Sequence, residues 1–332
     1  MLKLNYLFHN ENLAEMIVKN WSYDPESTEM FRYYRISSNA IYPFRKGGKT
    51  QLLRFAPVQE KNKSNIEAEL AFIKYLHENG HGVLVAVKSN NGEKLAEIRT
   101  PWGDYYASAF ERVPGSAINQ TDLTDEIVFS HGHALGELHR LSSKYEPEPG
   151  APKRWSHVDV LDWIVDQIDQ IKENPNEAAR SEVQLLREHF ADLPVHSRNY
   201  GLIHYDFEYD NVFYDQEAKR CYAIDFDDAM YHWYAMDIEQ ALDSLQDCIS
   251  EELYNHKKHC FLEGYSTAFE LPEDLESVLP ALRRFANLYS YARLMRSVAE
   301  KWDHEPEWMQ HLRTKFAHSM RSKSTLFGTK LS

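Results

Sequence analysis

The chain has 332 residues, 43% of them hydrophobic and 13% aromatic, which excludes intrinsic disorder and leaves room for two lobes with a cleft. Its formal net charge of −14 argues against a nucleic-acid binder, because neutralising phosphates needs a basic face. Three cysteines, Cys221, Cys248 and Cys260, occur without CxxC spacing, so neither a disulfide framework nor a thiolate zinc site is expected and a reducing cytoplasm fits. No stretch approaches the roughly 18 apolar residues of a membrane span, and no export signal stands at the N-terminus. The basic end of the chain, HLRTKFAHSMRSKSTLFGTKLS, reads as a solvated helix and tail.

After a short amphipathic start, residues 31–56 are rich in Tyr, Ile and Phe and read as strands, with Gly47-Gly48 as a tight hairpin turn. Ile66, Leu70, Ile73 and Leu76 recur at helical spacing over 62–79, and Gly80 supplies a stop. Further strand signals lie in HGVLVAVKS, in KLAEIRT after Asn91-Gly92, and in DYYASAFERV, before Pro114-Gly115 breaks the pattern. Beyond that break the period becomes helical in DEIVFSHGHALGELHRLS, VDVLDWIVDQIDQI, EAARSEVQLLREHF and several segments up to about residue 320. Residues 201–226 form a strand-rich island within this helical part, and no fixed-period repeat occurs.

The island carries the chemistry. His204, Asp206 and Asn211 follow its first strand, and Asp225 ends its last; a hairpin turning at Asp215 to Lys219 would set Asp206 and Asp225 side by side. Asp and Asn between apolar runs are by themselves ordinary turn residues. Two carboxylates and a carboxamide converging in a cleft would instead suit a hard cation such as Mg²⁺, with one aspartate left to accept a hydroxyl proton during phosphoryl transfer.

His204-x-Asp206 followed by Asn211 resembles the catalytic loop of the aminoglycoside phosphotransferase and choline kinase superfamily, relatives of the protein kinases. Ile224-Asp225-Phe226-Asp227 is similar to that family's metal-binding segment. Other segments follow in family order over about residues 30 to 300: LLRFAP, NIEAELAFIKYL, FERVPG, GHALGELHRLS and YAMDIEQAL. The resemblance implies an α+β, two-lobed protein-kinase-like fold. Residues 1–112 would be a nucleotide-binding lobe, a small antiparallel sheet with one helix; residues 113–332 would be a larger, mainly helical lobe with the catalytic loop and acceptor site.

The resemblance also implies roles. Asp206 would be the base, with His204 bracing its loop, and Asn211 and Asp225 the Mg²⁺ ligands. Arg54, held by Glu69, would contact the phosphates of ATP, with Glu67 the rival acid one helical step away. Ser37-Ser38-Asn39-Ala40 would stand in for a glycine-rich phosphate-covering loop, Glu111 to Val113 would meet adenine, and Asp237 would fix the loop after the metal site. Arg54 departs from the lysine usual at that position, and a guanidinium and an ammonium are not equivalent. Tyr205 and Asp227 stand where the antibiotic-modifying members usually carry Gly.

Acids alternate with aromatics around these motifs: Phe207, Glu208, Tyr209, Asp210, then Asp227, Asp228, Tyr231, Trp233 and Tyr234. Such a surface would recognise an organic cation, which favours a hydroxylated amine as acceptor; packing of the large lobe is the plainer use of the same aromatics. A protein Ser or Thr acceptor and a nucleotide-binding pseudokinase are the alternatives, and the latter's usual signature, a missing base or metal ligand, is absent. His131 and His133 would point to different faces of a helix, so a zinc site with His139 is not expected, and His256 and His259 have no evident carboxylate partner.

Overall fold

The computed structural model describes residues 1–170, 176–272 and 275–331. One short helix and a 3-10 stretch, Pro25–Tyr33, precede the sheet: α1 (Glu11–Val18) is capped by Asn10, whose side chain accepts from the Leu13 N–H at 3.0 Å. The 3-10 stretch occupies part of what the sequence pattern marks as strand. The strands proper are β1 (Arg35–Ile36), β2 (Ala40–Lys46) and β3 (Lys49–Pro57). Gly47 and Gly48, both at positive φ, make the expected turn between β2 and β3. Their N–H groups are held by the Asp24 carboxylate at 2.9 Å each.

Helix α2 (Lys63–Glu78) starts at Asn62, which caps the Asn65 N–H, and stops at Gly80 with φ +82°. It buries Ile66, Leu70, Ile73 and Leu76, the residues its period predicts. β4 (Ala86–Val87), β5 (Ala96–Thr100) and β6 (Gly103–Glu111) complete a six-stranded antiparallel sheet of order β1-β2-β3-β6-β4, with β5 also on β6. β4 is shorter than the run HGVLVAVKS suggests because that run is shared between two partners. Gly82 and Leu84 exchange backbone hydrogen bonds with Ala223, while Ala86 and Val87 join β6. α1 packs Leu13, Ala14, Ile17 and Val18 into the same core as Tyr42, Phe44, Leu53 and Phe55, so a helix other than α2 contributes to this core.

β7 (Ser116–Ala117) leads to α3 (Asp125–Ser142), α4 (His157–Gln170) and α5 (Glu177–Asp192). The helical pattern extended one residue past α4 to Ile171, which lies outside the described residues. The island contains β8 (Tyr200–Ile203), β9 (Val212–Asp215) and β10 (Arg220–Ala223). β9 and β10 form the expected hairpin, Asp215 opposite Arg220 and Val212 opposite Ala223, with β7 on the other side of β9. β8 does not pair within the island; it pairs with β11 (Met230–Trp233). Three long helices and α6 (Ala235–Cys248) finish the chain: α7 (Glu251–Ser266), α8 (Leu275–Ser297) and α9 (Glu307–Lys323). Gly132 on α3 and Gly264 on α7 let these two helices approach backbone to backbone, since a Cβ at either would strike a carbonyl oxygen of the other helix or its immediate start.

Backbone contacts divide the chain into two units. One comprises residues 9–154 and 196–273, the other residues 1–8, 155–195 and 274–332. The 112/113 boundary read from sequence lies inside the first of these. In the smaller unit, Leu4 packs with Leu294, Met309 and Phe316, and buried Glu182 on α5 forms a two-pronged pair with Arg284 on α8. No helix among the described residues is long and apolar enough to cross a membrane.

Candidate active site

All of the site residues expected from sequence fall in the larger unit. Arg54 points from β3 toward α2, where its two terminal nitrogens donate to the two Glu69 oxygens at 2.7 and 2.8 Å. Side-chain exposure is 8% for Arg54 and 0% for Glu69, so this is a buried bidentate pair and not the weak surface pair that sequence alone allowed. Glu69, and not Glu67, takes the acid's place. The Arg54 guanidinium also lies over the Phe110 ring at 4.8 Å. Burial works against its charge, but Glu69, Asp227 and Asp225 outweigh burial and hold it above its ordinary range.

The loop after β8 is organised by a carboxylate from α6. Asp237 accepts the His204 N–H at 2.8 Å and the Tyr205 N–H at 2.6 Å, and also meets His139 Nε2 at 3.1 Å. Tyr205 is one of four non-glycine residues at positive φ among those described, +70°, a conformation the two Asp237 bonds compensate. Asp237 therefore fixes the His204 loop itself, a correction to the expectation that it holds the loop after the metal segment. His139 completes the chain through Nδ1 to the Tyr265 hydroxyl at 2.8 Å. Burial pushes its pKa down, so the neutral ring donates from Nε2 to Asp237 and accepts the Tyr265 proton.

His204 is likewise kept neutral by burial. Its Nδ1 accepts the Asp206 N–H at 3.2 Å, which puts its proton on Nε2, donated to the Ile224 carbonyl at 2.8 Å. The ring thus spans from the Asp206 loop to the residue before Asp225. Asn211 donates its amide N–H to the Asp206 carboxylate at 2.8 Å and to the Asp206 carbonyl at 3.1 Å, leaving its own side-chain oxygen as the ligand-capable end.

Asp225 stands at φ +61°, ψ +62°, between β10 and the 3-10 turn Phe226–Asp228. Burial, then the charge of Asp227, pushes its pKa up to about 6 despite Arg54. Asp227 goes the other way: burial opposes ionisation, but Lys61 and Arg54 hold it well below the usual carboxylate range. Lys61 Nζ lies 2.6 Å from Asp227 Oδ2. Arg154 laces the same segment from below, donating to the carbonyls of Ala229 at 2.5 Å and Asn65 at 2.8 Å and to that of Asp227. Sequence reading missed Lys61 and Arg154; no local spacing links either to residues 226–229.

Ser37, Ser38 and Asn39 form the tip joining β1 to β2, closed by the Ser37 N–H to the Asn39 carbonyl at 3.0 Å. Asn39 lines a small pocket together with Arg54, Lys61, Tyr106, Ser108 and Asp227. Glu111 ends β6 with its N–H bonded to the Val85 carbonyl at 2.9 Å, and Val113 is buried just beyond. A larger cavity of about 300 Å³ borders Glu111 and Val113 but reaches neither Arg54 nor Asp225. Of the aromatics expected around an acceptor, Phe207, Tyr209, Trp233 and Tyr234 are fully buried core residues and only Tyr231 is partly exposed. His131 stacks on Phe207 in that core at 4.9 Å.

A six-stranded sheet with its buried Arg–Glu pair, joined to a mainly helical part that carries a carboxylate-braced loop, is the two-lobed protein-kinase-like fold. The chain belongs to the phosphotransferase enzyme family, whose model matches residues 33–271. It is similar to the amicoumacin kinase of Bacillus subtilis (strain 168), 22% identical over 304 residues, covering 87% of this chain and 85% of the relative. Among solved structures it resembles an amicoumacin kinase in complex with AMP-PNP, Ca²⁺ and Ami, with a TM-score of 0.76 at 19% identity, covering 99% and 97% of the two chains. A microcompartment-associated aminopropanol kinase superposes with a TM-score of 0.65 at 19% identity, covering 97% and 100%.

Proposed function

We propose that this protein transfers the γ-phosphoryl group of ATP to a hydroxyl of a small molecule. The observation that carries this reading is the closed network Asp237–His204–Asp206–Asn211, tied through His204 to the carbonyl next to Asp225 and set in a chain of the phosphotransferase family.

Asp206 is the base that orients the acceptor hydroxyl and takes its proton, and Asn211 steers the carboxylate by its amide bond. His204 is a positioning residue: neutral, with both nitrogens engaged, it transfers no proton. The Asn211 side-chain oxygen and the Asp225 carboxylate are hard oxygen donors, a set that fits Mg²⁺. The cation, when bound, neutralises charge on the phosphates. Arg54, locked by Glu69, contacts the nucleotide phosphates beneath Ser37, Ser38 and Asn39, and the backbone from Glu111 to Val113 receives adenine. The nucleotide lobe is then residues 1–112 and the acceptor lobe residues 113–332.

A hydroxylated amine is the favoured acceptor class. Support comes from acids and not from an aromatic cage: burial, then the charges of Asp210, Asp243 and Asp247, raise the pKa of Glu208 next to Asp206. Such a surface attracts a cation to the base. One of the similar structures is described as an aminopropanol kinase, consistent with this class.

The test is coupled ADP release with Mg·ATP against amino alcohols, aminoglycosides, sugars and homoserine, run beside Asp206→Ala. Acceptor-stimulated release that falls about 10²- to 10⁴-fold in the variant is the expected result. Absence of stimulation by every acceptor, with ATP still bound, would favour a protein acceptor or a nucleotide-binding role instead.

A further inference from the structure

We propose that Lys61 is a second cation for the nucleotide's terminal phosphates, resting on Asp227 in the nucleotide-free chain and moving to the phosphate when nucleotide binds. This rests on the ATP-dependent reading above. Lys61 lies between the 3-10 turn Val58–Glu60 and α2, and lines the same pocket as Asn39, Arg54 and Asp227. Its 2.6 Å contact with Asp227 leaves the two side chains 14% and 12% exposed, so this is not a solvated surface pair.

Three features make the pair separable. The acidic segment does not depend on Lys61 for its shape, because Arg154 independently binds the carbonyls of Asp227 and Ala229 and that of Asn65. Among the described residues Asp227 is the one hydrogen-bond partner of the Lys61 ammonium, which carries three donors on a flexible stem. Arg54, by contrast, is pinned by both Glu69 oxygens and by the Phe110 ring, so it forms a fixed contact that cannot follow a phosphate through its transfer.

Charge balance points the same way. Arg54 is neutralised by Glu69 and Lys61 by Asp227, and Arg154 offsets one of Asp225 and Asp228, which leaves the segment one charge negative. A polyphosphate entering here meets a net acidic wall unless a cation is released toward it. Lys61 supplies that charge, and its departure leaves the Asp227 carboxylate open toward the phosphate side.

Calorimetric titration of ATP, ADP and adenosine into wild type, Lys61→Met and Asp227→Asn, all in EDTA, tests the exchange without metal ions. Lys61→Met should bind ATP and ADP on the order of tenfold more weakly, with adenosine affinity unchanged, which also shows that the variant is folded. Asp227→Asn, which removes the competing anion, should bind ATP more tightly than wild type. The proposal is overturned if Lys61→Met keeps wild-type ATP affinity, if it loses ATP and adenosine affinity in equal proportion, or if Asp227→Asn binds ATP more weakly. Failure of the wild type to bind any adenine nucleotide even after Mg²⁺ is restored is a different result: it removes the ATP-dependent reading itself, and the Lys61 assignment with it.

Discussion

Replacing Asp237 by Asn tests the brace beneath the catalytic loop. The carboxylate is fully buried and accepts the N–H groups of His204 and Tyr205, at 2.8 and 2.6 Å, on Oδ2 and Oδ1 respectively, while His139 also donates to Oδ2. A carboxamide keeps one acceptor and turns the other into a donor. In either orientation of the amide, a buried N–H then faces an N–H. Loss of a charge-assisted bond together with an orphaned buried donor is worth about 1–3 kcal/mol for each group affected. Two groups are affected, the new amide N–H and the backbone N–H it faces, so the loss is about 2–6 kcal/mol; the left-handed strain at Tyr205 is the same with either side chain and does not enter the difference. That loss is a large share of the roughly 5–15 kcal/mol that holds a protein folded. Denaturant unfolding of Asp237→Asn beside wild type measures it, and amide exchange at His204 and Tyr205 localises it. A midpoint shift equivalent to less than about 0.5 kcal/mol, with those amides still protected, would refute the argument that this carboxylate holds the loop.

Glu69→Ala strands the buried Arg54 charge and should cost about 3–5 kcal/mol in the same unfolding experiment; a loss below about 1 kcal/mol would mean the pair behaves as an exposed one. Asp225 has a folded pKa of about 6 against an ordinary value of 3.8, so the folded state holds its proton more tightly and the group's contribution to stability declines as pH rises between those values. Asp225→Asn should therefore raise unfolding stability near pH 7.5 by up to about 3 kcal/mol while abolishing activity, and unchanged or lower stability would contradict the assigned burial cost. Because a bound cation must displace that same proton, divalent-metal affinity of the wild type should rise with pH through about 6 and then level off; calorimetry from pH 5 to 8 reads the inflection.

Much of the site was legible because it is written locally. The turn at Gly47-Gly48, the cap and period of α2, and the hairpin from Val212 to Ala223 depend on residues within a few positions of each other, and each formed where the pattern put it. The same holds for His204, Asp206 and Asn211, which share one loop. The Arg54–Glu69 pair was legible only through resemblance, since nothing in a strand or a helix taken singly says which acid will face which base.

Contacts made at long range were not legible. His256, with no carboxylate evident in its own stretch, meets Asp125 at the start of α3 at 3.0 Å. Arg154 and Lys61 reach residues 226–229 from distant parts of the sequence, β8 chose β11 over its neighbours, and four aromatics for which packing and a cation-binding surface were both open went into the core. Sequence by itself determined the elements, their caps and turns, and the residue types of the catalytic loop, because those follow from backbone preferences and periods acting over a few residues. Only the tertiary structure decided which carboxylate braces that loop, which cations hold the acidic segment, and which aromatics stay dry, because each depends on burial, and burial is a property of the packed chain.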